Sequence, residues 1–459
     1  MTRDRRDTLV LAAVLAAAVG FYAAAWGGAP ATDGDSAGYL EVAADLADGQ
    51  LDQLYWRPIG YPLLLLVTGS TPTPGTALVV TQLVLHALAV ALFVGLLLRV
   101  RAGRAPTVAF VAVALLPPFV EHAAFVLSES MTQFFVVAGL VGFARWLLGG
   151  HWAWLVTGAL ALGCASLVHP ADQLLWLLLP VLALLWSVLM PSGSIASGRA
   201  LAGAAVVAAV AVPILGGVMA WNATRFDYAG ISPMLGVTLS HKTVRVLEEL
   251  PDEYNGVREI LIRHRDAALL DPVTGHLGLA YIFRALPELE AKTGLRGPAL
   301  SRYLVKMNLA LIRRAPMDYV DEVLRSAIWF WSPGVTDQSG FGSGALKAAF
   351  NGLRALVLVA FGSTLVLLAG PTVLLILRAK RTAGTASPPA TDAWAPLLVI
   401  WLSLGAIAYS CLISITLTAA VYRLRIPVDL PILACVVLGP ATWRALVAGL
   451  GIGSDAGPA

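Results

Sequence analysis

The feature that most limits this chain is a succession of apolar runs, each about twenty residues long, separated by short polar stretches. A helical run of that length matches the hydrocarbon thickness of a bilayer, because each residue adds about 1.5 Å of rise. Runs of this kind lie near 8–28, 75–98, 105–120, 129–148, 152–168, 172–190, 200–221, 352–378, 394–418 and 426–449. They predict an all-α polytopic membrane protein with about ten transmembrane helices. The third run is short and ends in Pro117-Pro118, and the stretch from Gly60 to Gly69 reads as re-entrant or interfacial. Only 13% of the 459 residues are charged, against 58% hydrophobic. Soluble domains carry about a quarter charged residues, so a set of soluble domains is excluded. Cys164, Cys411 and Cys435 all lie inside apolar runs and indicate neither a disulfide framework nor a zinc cluster. The first run continues to Trp26 without a small-x-small site, so it reads as a span and not as a cleaved signal.

Basic residues set the expected orientation. With a cytoplasmic N-terminus, twelve Lys or Arg fall in inside segments: Arg3, Arg5, Arg6, Arg99, Arg101, Arg104, Arg145, Arg199, Arg378, Lys380, Arg381 and Arg444. Only Arg57, Arg423 and Arg425 fall in the short outside loops. This bias places both termini in the cytoplasm. It divides the chain into an N-terminal membrane module (1–221), an extracytoplasmic helical segment (222–351) and C-terminal membrane helices (352–459). The middle segment holds fifteen Lys/Arg and fourteen Asp/Glu of mixed sign, which is no arm for nucleic acid. Helical patterns are expected near 237–250, 253–268, 298–315 and 318–331, with turns at Asp271-Pro272, Thr274-Gly275 and Arg296-Gly297-Pro298. Residues 382–392, rich in Ala, Thr, Ser and Pro, read as a low-complexity loop.

The first external loop (29–62) concentrates carboxylates: Asp33, Asp35, Glu41, Asp45, Asp48 and Asp52 face a single Arg57. Tyr39, Val42, Ala43 and Leu46 recur at i, i+3, i+4 and i+7, which predicts a short amphipathic helix stopped by Gly49. Glu41, Asp45 and Asp48 then form its solvated face. Asp35 falls at the N-cap. Two readings stand there, an ordinary cap or a carboxylate kept ionised by helix amides and usable as a base.

Asp35-Ser36-Ala37-Gly38-Tyr39-Leu40, then Ala43, Leu46 and Gly49, then Arg57-Pro58-Ile59-Gly60-Tyr61-Pro62 resembles the first external loop of GT-C type membrane glycosyltransferases. The similarity is greatest to the protein-mannosyltransferase and aminoarabinose-transferase-like branch. Ser128-Glu129, opening the fourth span, and Tyr422-Arg423-Leu424-Arg425-Ile426-Pro427, opening the last, stand in the matching order. The resemblance implies a GT-C fold, a polyprenyl-phosphate-linked sugar donor and inverting transfer outside the membrane to a glycan, lipid or protein hydroxyl. It makes Asp35 the general base. Arg57, Arg423, Arg425 and His169 become candidates for the donor phosphate, since guanidinium suits a phosphodiester. Asp33, Tyr39, Tyr61 and Glu129 become candidates for the substrate cleft.

Departures from that pattern matter. Ser36 stands where many relatives carry a second acidic residue, and His169-Pro170 stands where they often carry Arg-Pro. Arg423 and Arg425 also read as snorkelling helix-end residues, and His169 as an interfacial histidine. Glu121, His122, Glu129, His169 and Asp172 have metal-ligand side chains but no ligand spacing, so no metal or other cofactor is assigned. His86 reads as a helix-packing residue. No P-loop or dinucleotide-binding glycine pattern occurs. The expectation is an enzyme of the plasma membrane in a bacterial cell envelope, with the lipid bilayer as a partner beside its donor and acceptor. The alternative is a transporter or flippase, which would place ionisable groups near mid-membrane on broken helices.

Overall fold

The structure is a computed structural model and describes residues 3–26, 30–52, 54–190, 197–270, 281–334, 344–381, 394–418 and 422–450. The turns expected at 271–275, the loop 382–392 and the end of the chain lie outside the described residues. Every element is helical, and among the described residues there is no strand beyond one isolated bridge between Ala31 and Phe125.

The N-terminal half contains α1 (Arg3–Ala25), α2 (Ser36–Ala47), α3 (Gly60–Val67), α4 (Thr76–Arg99), α5 (Arg104–Ala114), α6 (Pro117–Val120), α7 (Glu129–Leu147), α8 (Trp152–Val168), α9 (Leu175–Leu189) and α10 (Ser197–Phe226). A polar layer follows: α11 (Leu235–Thr243), α12 (Asn255–Leu269), α13 (Tyr281–Thr293), α14 (Gly297–Arg314) and α15 (Pro316–Phe330). The chain closes with α16 (Gly344–Arg381), α17 (Trp394–Leu417) and α18 (Ile426–Gly449). Eight described helices are long and apolar enough to cross a bilayer. The bent pair α5–α6 makes a ninth if counted as one span, and α8 is a shorter apolar helix of 17 residues. This is a polytopic helical membrane protein.

Small residues let the helices of the first half approach closely. A Cβ on Gly142 would come within 2.5 Å of the Trp154 carbonyl oxygen, and one on Gly139 within 2.5 Å of Leu162 Cδ2. Those glycines seat α7 against α8, as small residues do where lipid offers no hydrophobic drive for association. Helix α7 also packs on α4 and α18, so one central helix joins the first half of the chain to the last.

The α5–α6 pair bends by 71°. Pro117 and Pro118 supply the break, and its exposed carbonyls must find donors because lipid offers none. They do. His86 Nε2 donates to Ala114 O at 2.9 Å, Tyr22 Oη donates to Leu115 O at 2.7 Å, and Arg354 donates to Pro118 O. His86 thus does the packing work expected of it, with its Nδ1 also 2.7 Å from Gln133 Oε1.

The polar layer has its own core, in which Val237, Leu247, Leu261, Tyr281, Leu304 and Leu311 are buried together. Of its helices, α13 was not among those expected from periodicity. Arg296-Gly297-Pro298, expected as a turn, instead opens α14: Gly297 has a φ of +48° and Pro298 occupies the first turn, where its missing N–H is harmless.

Candidate active site

The amphipathic helix of the first loop forms as α2, with Ser36, Tyr39, Val42 and Ala43 buried on one side. Gly49 ends it at a φ of +72°, a conformation that costs glycine nothing. The segment before it is pinned from below. Ala31 N–H donates to Ala124 O and Val126 N–H donates to Ala31 O, both at 2.8 Å. Ser36 Oγ donates to Val126 O at 2.9 Å and accepts from Asp33 N–H at 2.8 Å. Ser36 is therefore a structural pin that ties the start of α2 to the backbone at Val126.

Asp35 precedes α2 but makes no capping bond. Its side chain turns to two arginines instead. Arg57 Nη2 donates to Oδ1 at 2.6 Å, and Arg423 Nη2 donates to Oδ2. Burial alone would raise the Asp35 pKa, yet Arg423 and Arg57 overcome it and hold the carboxyl far below the ordinary range. Arg423 has further partners: Nη1 donates to Asp33 Oδ2 at 2.8 Å, and Nε lies 3.0 Å from Glu129 Oε1. Glu129 is buried at the first turn of α7, and among the described residues its Oε2 has no hydrogen-bond partner. One guanidinium thus ties together three carboxylates.

Tyrosines back this cluster. The Arg57 guanidinium lies 4.5 Å from the centroid of the Tyr39 ring, and Tyr39 Oη sits 3.1 Å from Ser128 Oγ. Tyr61 meets Tyr39 edge to face at 4.9 Å and donates to Gln82 Oε1 at 3.3 Å. The latter two rings are buried, so they shape the floor under Arg57 and Asp35. His169 Nδ1 lies 3.5 Å from Asp172 Oδ2, close enough to Glu129 and Arg423 to feel both charges. Of the residues singled out in the sequence, Asp33, Asp35, Arg57, Tyr39, Glu129 and Arg423 come together, with Tyr61 beneath and His169 beside them.

Arg425 stands apart, and its position does not suit the phosphate role. It is 1% exposed, pairs with Asp429 Oδ1 at 3.1 Å and donates to the carbonyls of Phe330 at 2.6 Å and Ser332 at 2.9 Å. Asp429 also lies 3.5 Å from Arg354, itself 2% exposed. Sequence reading passed over Arg354 and Asp429, although an ionisable residue inside an apolar run was the available signal. His122 is 3% exposed, edge-on to His86 at 5.4 Å, with neither ring nitrogen hydrogen-bonded among the described residues. Among the described residues no three His, Cys, Asp or Glu side chains come together as a metal-binding group.

Chemically, the cluster offers a carboxylate base, two guanidinium groups suited to an anionic oxygen group, and aromatic walls. It lies where α2, α7 and α18 begin, at one end of the helix bundle. No family model, no curated protein and no solved structure matches the chain.

Proposed function

We propose that this protein is a GT-C type membrane glycosyltransferase that takes its sugar from a polyprenyl-phosphate donor, with Asp35 as general base. The observation that carries the reading is the convergence of Arg57 and Arg423 on the two oxygens of Asp35. It supplies, in one cluster, a carboxylate able to act as base and two guanidinium groups able to hold the donor phosphate.

Charge decides how the site must work. Asp33, Asp35 and Glu129 outnumber Arg57 and Arg423 by one, so a phosphate cannot simply add to the resting cluster. It has to take guanidinium groups away from carboxylates. Losing Arg423 or Arg57 raises the Asp35 pKa toward ordinary values and makes it a stronger base. Asp35 then accepts the proton of the acceptor hydroxyl as that oxygen bonds to the anomeric carbon. The bond from that carbon to the phosphate oxygen breaks on the opposite face. The electron pair leaves with the polyprenyl phosphate, whose new charge the guanidinium groups stabilise. Tyr39, Tyr61 and His169 shape the cleft.

The test supplies purified protein with polyprenyl-phosphate sugars and candidate acceptors and compares wild type with Asp35→Asn. Loss of transfer in the variant is expected. Equal rates in the two would remove Asp35 from the role of base.

One observation favours a second reading, transport. The broken α5–α6 pair and the buried His122, Arg354 and Asp429 resemble the interrupted helices and intramembrane charges of transporters. Solute movement across sealed vesicles without consumption of any polyprenyl-linked sugar would establish it in place of the enzyme.

A further inference from the structure

The opposite end of the bundle carries a second cluster, of one sign only. Helix α7 runs from Glu129, at the Asp35 site, to Arg145 sixteen residues later, about 24 Å along its axis. There Arg145 lies near Arg99, at the end of α4, and Arg199, at the start of α10, bonds the same end of α7. Arg99 and Arg145 are near enough to repel each other. Arg99 Nη2 donates to Leu148 O at 2.9 Å, and Arg199 Nε donates to Trp146 O at 3.0 Å. These bonds answer the last carbonyls of α7, as basic residues at helix C-termini do. Arg199 Nη2 also donates to Trp146 O and, at 3.0 Å, to Gly150 O, which leaves its Nη1 and most of the Arg99 hydrogens to other acceptors. Among the described residues Arg145 makes no hydrogen bond to a protein acceptor, and it stacks at 4.1 Å on the Trp154 ring. Among the described residues no carboxylate pairs with Arg99, Arg145 or Arg199.

Beside this cluster runs an apolar lane. Trp152, which packs against Trp146 at 5.3 Å beneath Arg199, is 51% exposed. Val156 and Leu160 follow at i+4 and i+8 on the same face of α8, 40% and 45% exposed. The lane points from the arginines toward the middle of the bundle's length.

We propose that Arg99, Arg145 and Arg199 bind the phosphodiester headgroup of one anionic phospholipid, with an acyl chain lying along Trp152, Val156 and Leu160. Three guanidinium groups that pair with no carboxylate among the described residues can take an anion, and their planar donors match phosphate oxygens. The adjoining apolar lane selects a lipid over a free phosphate. The site is independent of the proposed transfer chemistry.

Native mass spectrometry of the full chain in detergent, with equimolar phosphatidylglycerol and phosphatidylcholine, tests it. Wild type should retain one phosphatidylglycerol in preference to phosphatidylcholine, and retention should fall as salt rises. Arg99→Gln and Arg145→Gln should each weaken that preference about fivefold. Arg99 is exposed, so its variant is expected to fold. Arg101→Gln, an exposed basic position on the same face, should leave the preference unchanged. Equal retention of the two lipids, or undiminished preference in both variants, would overturn the proposal. So would an equal loss in Arg101→Gln, which indicates diffuse attraction, or displacement of the lipid by millimolar inorganic phosphate.

Discussion

Arg423, at the mouth of the last membrane helix, closes on Asp35, 388 residues earlier in the chain. The same guanidinium reaches Asp33 and Glu129, so the first loop, α7 and α18 meet on one side chain. A lysine has one compact ammonium and cannot serve three carboxylates in this geometry. Arg423→Lys should therefore lower the rate of sugar transfer at least about tenfold, with the donor KM rising more than the acceptor KM. Steady-state kinetics with each substrate varied in turn checks this.

Arg425 provides the contrast. Its buried pairing with Asp429 makes it part of the fold, so Arg425→Gln should destabilise the protein without selectively weakening donor binding. Asp429→Asn should cost more, about 3–5 kcal/mol, because it leaves both Arg425 and Arg354 buried beside a neutral group. Thermal unfolding in detergent, read beside donor binding, separates these two effects.

The pairing of Asp35 has a pH signature. Its folded pKa lies below the unfolded value, so the stabilisation is complete above the ordinary carboxylate range of about 4. It drains away as pH falls through the folded pKa. Unfolding midpoints measured between neutral pH and strongly acidic conditions should drop for wild type, and Asp35→Asn should flatten part of that drop.

Lys242 has the opposite sign. It is 2% exposed, donates to Ser326 Oγ, and burial lowers its pKa to about 8, opposed by Glu322. Between about pH 8 and the ordinary lysine value of about 10.4 the unfolded chain binds the extra proton. Stability should rise with pH across that window by roughly 1–3 kcal/mol. Lys242→Met should abolish the rise, which denaturant titrations at three alkaline pH values would reveal.

Much of this architecture was readable from the sequence, for a physical reason: lipid forces long apolar runs to be helical, so spans announce themselves. The α2 pattern was equally plain because one face had to bury Tyr39, Val42 and Ala43. The α5–α6 break was visible only as Pro117-Pro118, since the donors that satisfy it, His86, Tyr22 and Arg354, come from distant helices. In the candidate site, Asp35 and Arg57 share one loop and could be paired by eye. Topology put Arg423 on the same side of the membrane, but its pairing with Asp35 is a contact across 388 residues that no local pattern encodes. Arg425 shows the limit: two arginines one residue apart at a helix start look alike in sequence, yet the helix turn sends one to Asp35 and the other to Asp429. Ser36 was noticed as a departure, but its bond to Val126 depends on a backbone bridge that no local pattern encodes.

In the proposed mechanism donor phosphate and Asp35 compete for the same guanidinium groups. The most direct test is equilibrium binding of a polyprenyl monophosphate to wild type and Asp35→Asn, with transfer measured on the same preparations. The variant should bind the phosphate several-fold more tightly while losing transfer. Weaker binding in Asp35→Asn, or transfer at the wild-type rate, would contradict it.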